Sequence, residues 1–240
     1  MVKSEGFLMS RQRRKKSKKF FSEEKNEFKP KLIIPLNEKQ SQYLNLLQTR
    51  DQIISIGSAG TGKTFLASAF AAKQLRDKHI EKIILARPAV GASTSVGFLK
   101  GTVEEKLYPW LQPMLSVMKS QLGNLSAYQN SGKIQMLPLE MIRGRSFENT
   151  IVLIDEAQNA DIHLLKAIVT RQGSGSKIII MGDQTQSDVV NGSGLKKLVH
   201  IGKKHGVCVG VVEFCSDDII RSGIVKQWVQ AFEKEEKAPT

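Results

Sequence analysis

Residues Gly57-Ser-Ala-Gly-Thr-Gly-Lys63-Thr64 spell G-x-x-x-x-G-K-[ST], and no other feature narrows the possible folds of this chain as much. Before the octet stands Gln52–Gly57 (QIISIG), a short β-branched run that reads as a buried strand. After it, Lys63–Asp77 is rich in Ala, Leu and Phe and reads as a helix. A strand, a glycine-rich turn and a helix in that order form a nest of inward-turned N–H groups, with the positive helix end aimed at the same point. The pattern predicts that Gly57, Ser58, Ala59, Gly60, Thr61, Gly62, Lys63 and Thr64 hold the phosphates of a nucleotide. Lys63 would reach the β- and γ-phosphates, and the Thr64 hydroxyl would ligate Mg²⁺.

Two further strand ends supply matching chemistry. Ile151-Val-Leu-Ile is an apolar strand from which Asp155 and Glu156 emerge at the C-terminal end, where ligands of open α/β sheets bind. Asp155 suits the acid that steadies Mg²⁺. Glu156, one position on, can polarise an attacking water and so suits hydrolysis. Lys177-Ile-Ile-Ile-Met-Gly-Asp183 is another strand running into polar residues, with Gln186 three positions later. Asp183 and Gln186 are expected beside the Asp155 strand, where an amide can sense a γ-phosphate; a plain surface turn is the alternative.

The remaining pattern is strand alternating with helix. Leu36–Leu47 is expected as a helix capped by Asn37, and Lys82–Ala86 and Lys133–Leu137 as strands. Residues 104–122 read as a helix that Pro109 and Pro113 should break or bend. Asp161 is placed to cap Ile162–Arg171, and Ser193 to cap Gly194–Lys204, with Gly206 ending that helix. Val207–Val212 is the last expected strand, with Cys208 a small core residue in it, and Ile219–Glu233 the last helix. Such alternation argues for an α/β fold of three layers, a mostly parallel sheet covered on both faces.

Composition bounds the surroundings. The 240 residues carry 36 Lys+Arg against 23 Asp+Glu, a net charge of +13. Two cysteines, Cys208 and Cys215, exclude a disulfide framework. No uncharged apolar run approaches the roughly 20 residues of a membrane-spanning helix, and the basic N-terminus lacks the apolar stretch of an export signal. A soluble, cytoplasmic protein is expected. Residues 1–31 hold eleven Lys/Arg against four Glu. Residues 1–34 are therefore expected to be a disordered basic arm that meets polyanions or serves as a solubility tail. Residues 35–233 form the folded domain, and 234–240 a frayed tail. His79, His163, His200 and His205 show no metal-ligand spacing, and Met114 and Met118 suit helix-face packing.

At this point the chain resembles the PhoH-like ATPases, single RecA-like P-loop domains related to the first domain of superfamily-one helicases. The resemblance covers roughly residues 36–232. It rests on N-E-K-Q40-S-Q-Y43, G-S-A-G-T-G-K-T, A-R87-P88-A-V-G and V-G-F-L-K-G-T-V-E-E-K-L-Y108-P-W110-L-Q-P. It continues through M-I-R143-G-R145-S-F, I-D-E-A-Q, G-D-Q-T-Q-S-D188 and D-D-I-I-R221-S-G-I-V.

The resemblance implies that Gln40 reads adenine, though Gln42 competes for that assignment. It implies that Gln186 couples γ-phosphate to nucleic acid and that Arg221 is an arginine finger, a surface salt bridge being the bland alternative for Arg221. Arg143 and Arg145 could meet phosphate, nucleic acid or a neighbouring subunit. Ser93, Thr94, Ser95 and Lys100 are expected on a nucleic-acid backbone; Tyr108 and Trp110 either stack bases or, as the favoured alternative, pack under the bent helix.

A single domain needs its finger from another copy, so the resemblance implies a homo-oligomeric ring, a hexamer. The expectation is an Mg²⁺-dependent ATPase, possible helicase in class, on single-stranded RNA or DNA, with RNA favoured. A regulatory switch that recruits partners without unwinding is the alternative. A small-molecule kinase has no need of Glu156 and Gln186.

Overall fold

The computed structural model describes residues 28–88, 102–184, 186, 193–220 and 223–237. The basic segment before residue 28, Ser93, Thr94, Ser95, Lys100, Asp188 and Arg221 lie outside the described residues.

Helix α1 (Glu38–Thr49) starts where the Asn37 side chain accepts the Gln40 N–H at 2.8 Å. It leads into β1 (Gln52–Gly57), α2 (Lys63–Arg76), β2 (Lys82–Arg87), α3 (Val103–Leu122), a short α4 (Leu125–Asn130) and β3 (Ile134–Pro138). The chain continues with β4 (Thr150–Ile154), α5 (Ile162–Val169), β5 (Lys177–Gly182), α6 (Gly194–Lys204), β6 (Gly210–Phe214) and α7 (Gly223–Lys237). The strands form one sheet in the order β3-β2-β4-β5-β1-β6, and every pair is parallel.

Alternation along each strand makes the three layers. In β5, Ile179 and Met181 join Tyr43, Leu66, Phe70, Leu111 and Met114 under α1, α2 and α3. Ile178 and Ile180 point the other way, joining Leu165, Ile168 and Leu195 of α5 and α6. Central strands buried on both faces need unbroken apolar runs, and IVLI in β4 and KIIIM in β5 provide them. Tyr43 ties α1 to the sheet. Its ring meets Phe214 edge-on at 5.8 Å, and its hydroxyl accepts from the buried Ser55 hydroxyl at 3.2 Å. Burial pushes the Tyr43 phenol well above its ordinary pKa. No helix among the described residues is long and apolar enough to cross a membrane.

Three expectations need correction, and of the two effects expected of the prolines a break does not occur. Helix α3 is not broken at Pro109 or Pro113. Both prolines are exposed, so the carbonyls they leave unpaired face water, while Leu107, Leu111, Met114, Leu115 and Met118 hold the other face in the core. A capping box also anchors its start: Glu105 N–H donates to the Thr102 hydroxyl, and Thr102 N–H to the Glu105 carboxylate. Strand β6 begins only at Gly210, leaving Cys208 exposed in the preceding loop, where its sulfur accepts from Arg50 at 2.8 Å. Ser193 stands at the cap position of α6, but its buried hydroxyl has no hydrogen-bond partner among the described residues. Ile219 and Ile220 are not part of the last helix, described over Gly223–Lys237, because this segment is held elsewhere: Ile220 N–H donates to the Gly60 carbonyl, and Asn37 to the Asp218 carbonyl.

The packing of α3 predicts opposite effects on its two faces. Leu111→Ala should lower unfolding stability by about 2–5 kcal/mol. Pro109→Ala, at an exposed position, should leave stability unchanged or raise it by up to about 3 kcal/mol. Urea denaturation of the two variants checks both.

Candidate nucleotide site

The site is built at the C-terminal edge of the sheet. Backbone geometry is decided by Gly57 and Gly62. Gly57 has φ +134°, and a β-carbon there would lie 2.1 Å from the Phe214 carbonyl oxygen of β6. Gly62 has φ +90°, and a β-carbon would lie 2.7 Å from Gln40 Nε2. Only glycine fits this turn between two packed neighbours. Gly62 is also the cap residue of α2 and offers no side-chain bond. The first N–H groups of a 14-residue helix are thus left for an anion.

Lys63 folds back over the loop. Its ammonium donates to the Gly57 carbonyl at 2.6 Å, the Ser58 carbonyl at 2.8 Å and the Thr61 hydroxyl at 3.4 Å. Burial lowers its pKa, and the charges of Asp183, Asp155 and Glu156 work in the opposite direction. The Thr64 hydroxyl meets Asp155 Oδ1 at 3.3 Å, joining the start of α2 to the end of β4. Asp155 is pushed up to about 6, by burial first and then by the adjacent Glu156 charge, with Arg87 and Thr64 opposing. A hydroxyl beside a buried carboxylate at a phosphate cradle is a hard-oxygen donor set suited to Mg²⁺, and a bound divalent cation would hold that carboxylate ionised.

Glu156 sits in the left-handed region, at φ 52° and ψ 38°, an uncommon conformation for a residue with a β-carbon. The turn of 3₁₀ helix that follows, Ala157–Asn159, brings Gln158 back to it. Gln158 Nε2 donates to Glu156 Oε2 at 2.5 Å, while Gln158 Oε1 accepts the Asp183 N–H at 3.0 Å. One buried amide therefore ties the acid after β4 to the backbone after β5. Gln186 Nε2 donates to Asp183 Oδ2 at 3.0 Å.

These groups surround one cavity of about 360 Å³, lined in part by Lys63, Thr64, Asp155, Glu156, Asp183 and Gln186. A second, mainly apolar cavity of about 370 Å³ lies between α5, α6 and the start of β1, away from these groups.

Comparison with known proteins places this geometry. The pattern of the PhoH-like protein family matches residues 32–233. A PhoH-like protein of Mycobacterium leprae is 36% identical over 211 residues, covering 86% of this chain and 60% of that protein. Protein PhoH of Escherichia coli K12 is 35% identical over 206 residues, covering 83% and 58%. The chain belongs to the PhoH-like family. It spans about three fifths of the length of these curated relatives. Among solved structures, the large terminase of a thermophilic bacteriophage, in complex with ADP, superposes with a TM-score of 0.51 at 16% identity. The match covers 82% of this chain and half of that one, and it shows a shared P-loop NTPase fold.

Within the PhoH-like chain, Gln40 and Gln42 part company. Gln40 is buried against the P-loop, with Nε2 donating to the Thr61 carbonyl at 3.0 Å and Oε1 accepting the Leu36 N–H at 2.8 Å. Gln42 is exposed. Tyr108 and Trp110 do not pack under α3: they are 47% and 40% exposed, and Trp110 borders the cavity. Arg143 and Arg145 are exposed in the segment before β4 and do not line the cavity.

Motif reading missed two residues here. Gln158 carried a signal in I-D-E-A-Q without a role. Arg87, the last residue of β2, lines the cavity; it stood in A-R87-P88-A-V-G, likewise without a role.

The close approach at Gly57 predicts that Gly57→Ala is destabilising by at least about 2 kcal/mol, since overpacking and a disfavoured φ act together. Thermal melting of the variant beside Ala59→Gly, a change with no such clash, checks this.

Proposed function

We propose that this PhoH-like chain binds ATP with Mg²⁺ and hydrolyses it, and that it acts on single-stranded nucleic acid, RNA rather than DNA. The observation that carries the reading is the meeting in one cavity of the P-loop, the Asp155–Glu156 pair and the Asp183–Gln186 pair. Gly57, Ser58, Ala59, Gly60, Thr61 and Gly62 would wrap the phosphates with backbone N–H groups. Lys63 would leave its own loop carbonyls for the β- and γ-oxygens. Thr64 and Asp155 would hold Mg²⁺, which when bound neutralises charge between the phosphates. Glu156 has one oxygen engaged by Gln158, which orients the carboxylate, and the other can take a proton from an attacking water. Catalysis of this kind is positioning and charge stabilisation rather than covalent chemistry. Gln40 would read the adenine edge and Gln186 the terminal phosphate.

Support for nucleic acid comes from the net charge of +13 and from the exposed Tyr108 and Trp110, which can stack bases. The proposed arrangement is a cytoplasmic homo-hexameric ring in which Arg221 serves a neighbour. That part rests on the family resemblance.

One observation favours a second reading, a nucleotide-controlled switch that recruits partners. Helix α7 exposes Ile224, Trp228 and Phe232 at 60%, 60% and 62%, a one-sided apolar stripe. The segment leading to it is hydrogen-bonded to the P-loop through Ile220 and Gly60. A nucleotide that moves the loop can in this way move the stripe.

Steady-state hydrolysis with and without single-stranded RNA or DNA, over a salt series, separates the readings. The motor reading expects strong RNA stimulation that weakens as salt rises. Glu156→Gln should lower kcat by roughly 10²–10⁴-fold and leave ATP binding intact. Slow turnover indifferent to both nucleic acids points to the switch instead. For the ring, light scattering should show a multimer, and a monomer fully active at nanomolar concentration sinks it.

A further inference from the structure

The cavity contains a second cation besides Lys63, and it comes from the chain's own sheet. Arg87 ends β2, whose residues pair in register with β4, Ala86 lying opposite Ile154. This register brings position 87 level with Asp155, and the Arg87 charge is felt by that carboxylate. The guanidinium carbon lies 4.8 Å from the centroid of the Trp110 ring, and both side chains line the cavity with Lys63, Thr64 and Asp155.

Arg87 is half-buried, and no described residue gives its guanidinium a hydrogen bond or a close ion pair. A ring face attracts the charge but satisfies none of the five N–H donors. Those donors form a rigid planar fork matched to phosphate oxygens. Lys63, by contrast, must first leave three oxygens of its own loop.

Building on the nucleotide-site reading above, we propose that Arg87 reads the terminal phosphate of a nucleoside triphosphate in cis, and that Trp110 is its positioning residue. Trp110 holds the guanidinium over the cavity in the nucleotide-free chain and releases it when three phosphates are present. A diphosphate leaves Arg87 on the ring. The arrangement gives one chain a triphosphate sensor of its own, separate from anything Arg221 does for a neighbour.

Trp110 and Trp228 are the two tryptophans of the sequence, so a Trp228→Phe background makes Trp110 a private reporter. In that background, with Mg²⁺, titration with the slowly hydrolysed analogue ATPγS should change Trp110 emission, and titration with ADP should not. Arg87→Ala should erase that difference and cut the preference for ATPγS over ADP by roughly tenfold or more. Its kcat should fall by roughly 10²-fold or more, with no dependence on protein concentration. Arg87→Lys keeps the charge but not the fork and should fall between. Trp110→Phe retains a ring face and should keep most of the activity, while Trp110→Ala should lower kcat without weakening ADP binding.

Arg87→Ala that folds, by circular dichroism, and still prefers ATPγS as wild type does would overturn the proposal. If Arg87→Ala does not fold, Arg87→Lys with an unchanged preference and an unchanged emission response does the same. A different failure is recognisable: if neither nucleotide binds, or Lys63→Ala binds both as wild type does, the nucleotide site itself is wrong.

Discussion

Strand β5 lies between β1 and β4, and the dimensions of the site follow from that insertion. Neighbouring strands stand about 4.8 Å apart, so the ends of β1 and β4 are separated by about 10 Å. The end of β5 fills the gap with Asp183, whose backbone N–H is held by Gln158. The gap is closed from above by α2, whose second residue, Thr64, reaches across to Asp155. Without the intervening strand, the phosphate cradle and the acid pair would abut and leave no room for a ligand between them. The site is wide because the sheet is ordered as it is.

The same edge concentrates charge where water is scarce. Lys63, Asp155 and Asp183 are largely buried, an arrangement that is unfavourable unless each group finds a partner. The chain answers with local partners: loop carbonyls for Lys63, a hydroxyl for Asp155 and an amide for Asp183. Glu156 adds backbone strain to this account, held in a left-handed conformation at the cavity wall. Sequences optimised only for stability do not place strain and desolvated charge together; such places mark where stability has been given up for activity.

How much of this was legible in the sequence follows from the range of each interaction. The P-loop, the helix cap at Asn37 and the acid pair after IVLI are local, fixed by residues within a few positions of one another. The parallel sheet was legible too, because strands buried on both faces must be continuously apolar. Arg87 was not, since its place depends on the register of β2 against β4 and on a ring 23 positions away in α3. The start of β6 was misread for a related reason. Val207, Cys208 and Val209 have strand-like character, but the pairing of β6 with β1 starts only where Gly210 meets Ile53. At Gly210 a β-carbon would come within 3.2 Å of both Arg50 and Leu46, so close packing against α1 marks the point of entry. The prolines of α3 do not end the helix, because the burial of Leu107, Leu111, Met114, Leu115 and Met118 on its other face outweighs their local cost.

Gln40 shows what full hydrogen bonding implies for selectivity. Both ends of its amide are already engaged, one by the backbone ahead of α1 and the other by the P-loop. A base that recruits this amide must take over one of those bonds, so the number of bonds is conserved and the net gain in affinity is small. A base offering the wrong donor or acceptor leaves a buried polar atom unmatched, which is far more unfavourable. On the proposed reading, in which Gln40 meets the base, the residue would act as a filter rather than an anchor, distinguishing bases by penalty. Because the bond exchanged would run to Thr61 or to Leu36, the identity of the base would be passed to the loop or to the entry of α1, at a distance from the phosphates.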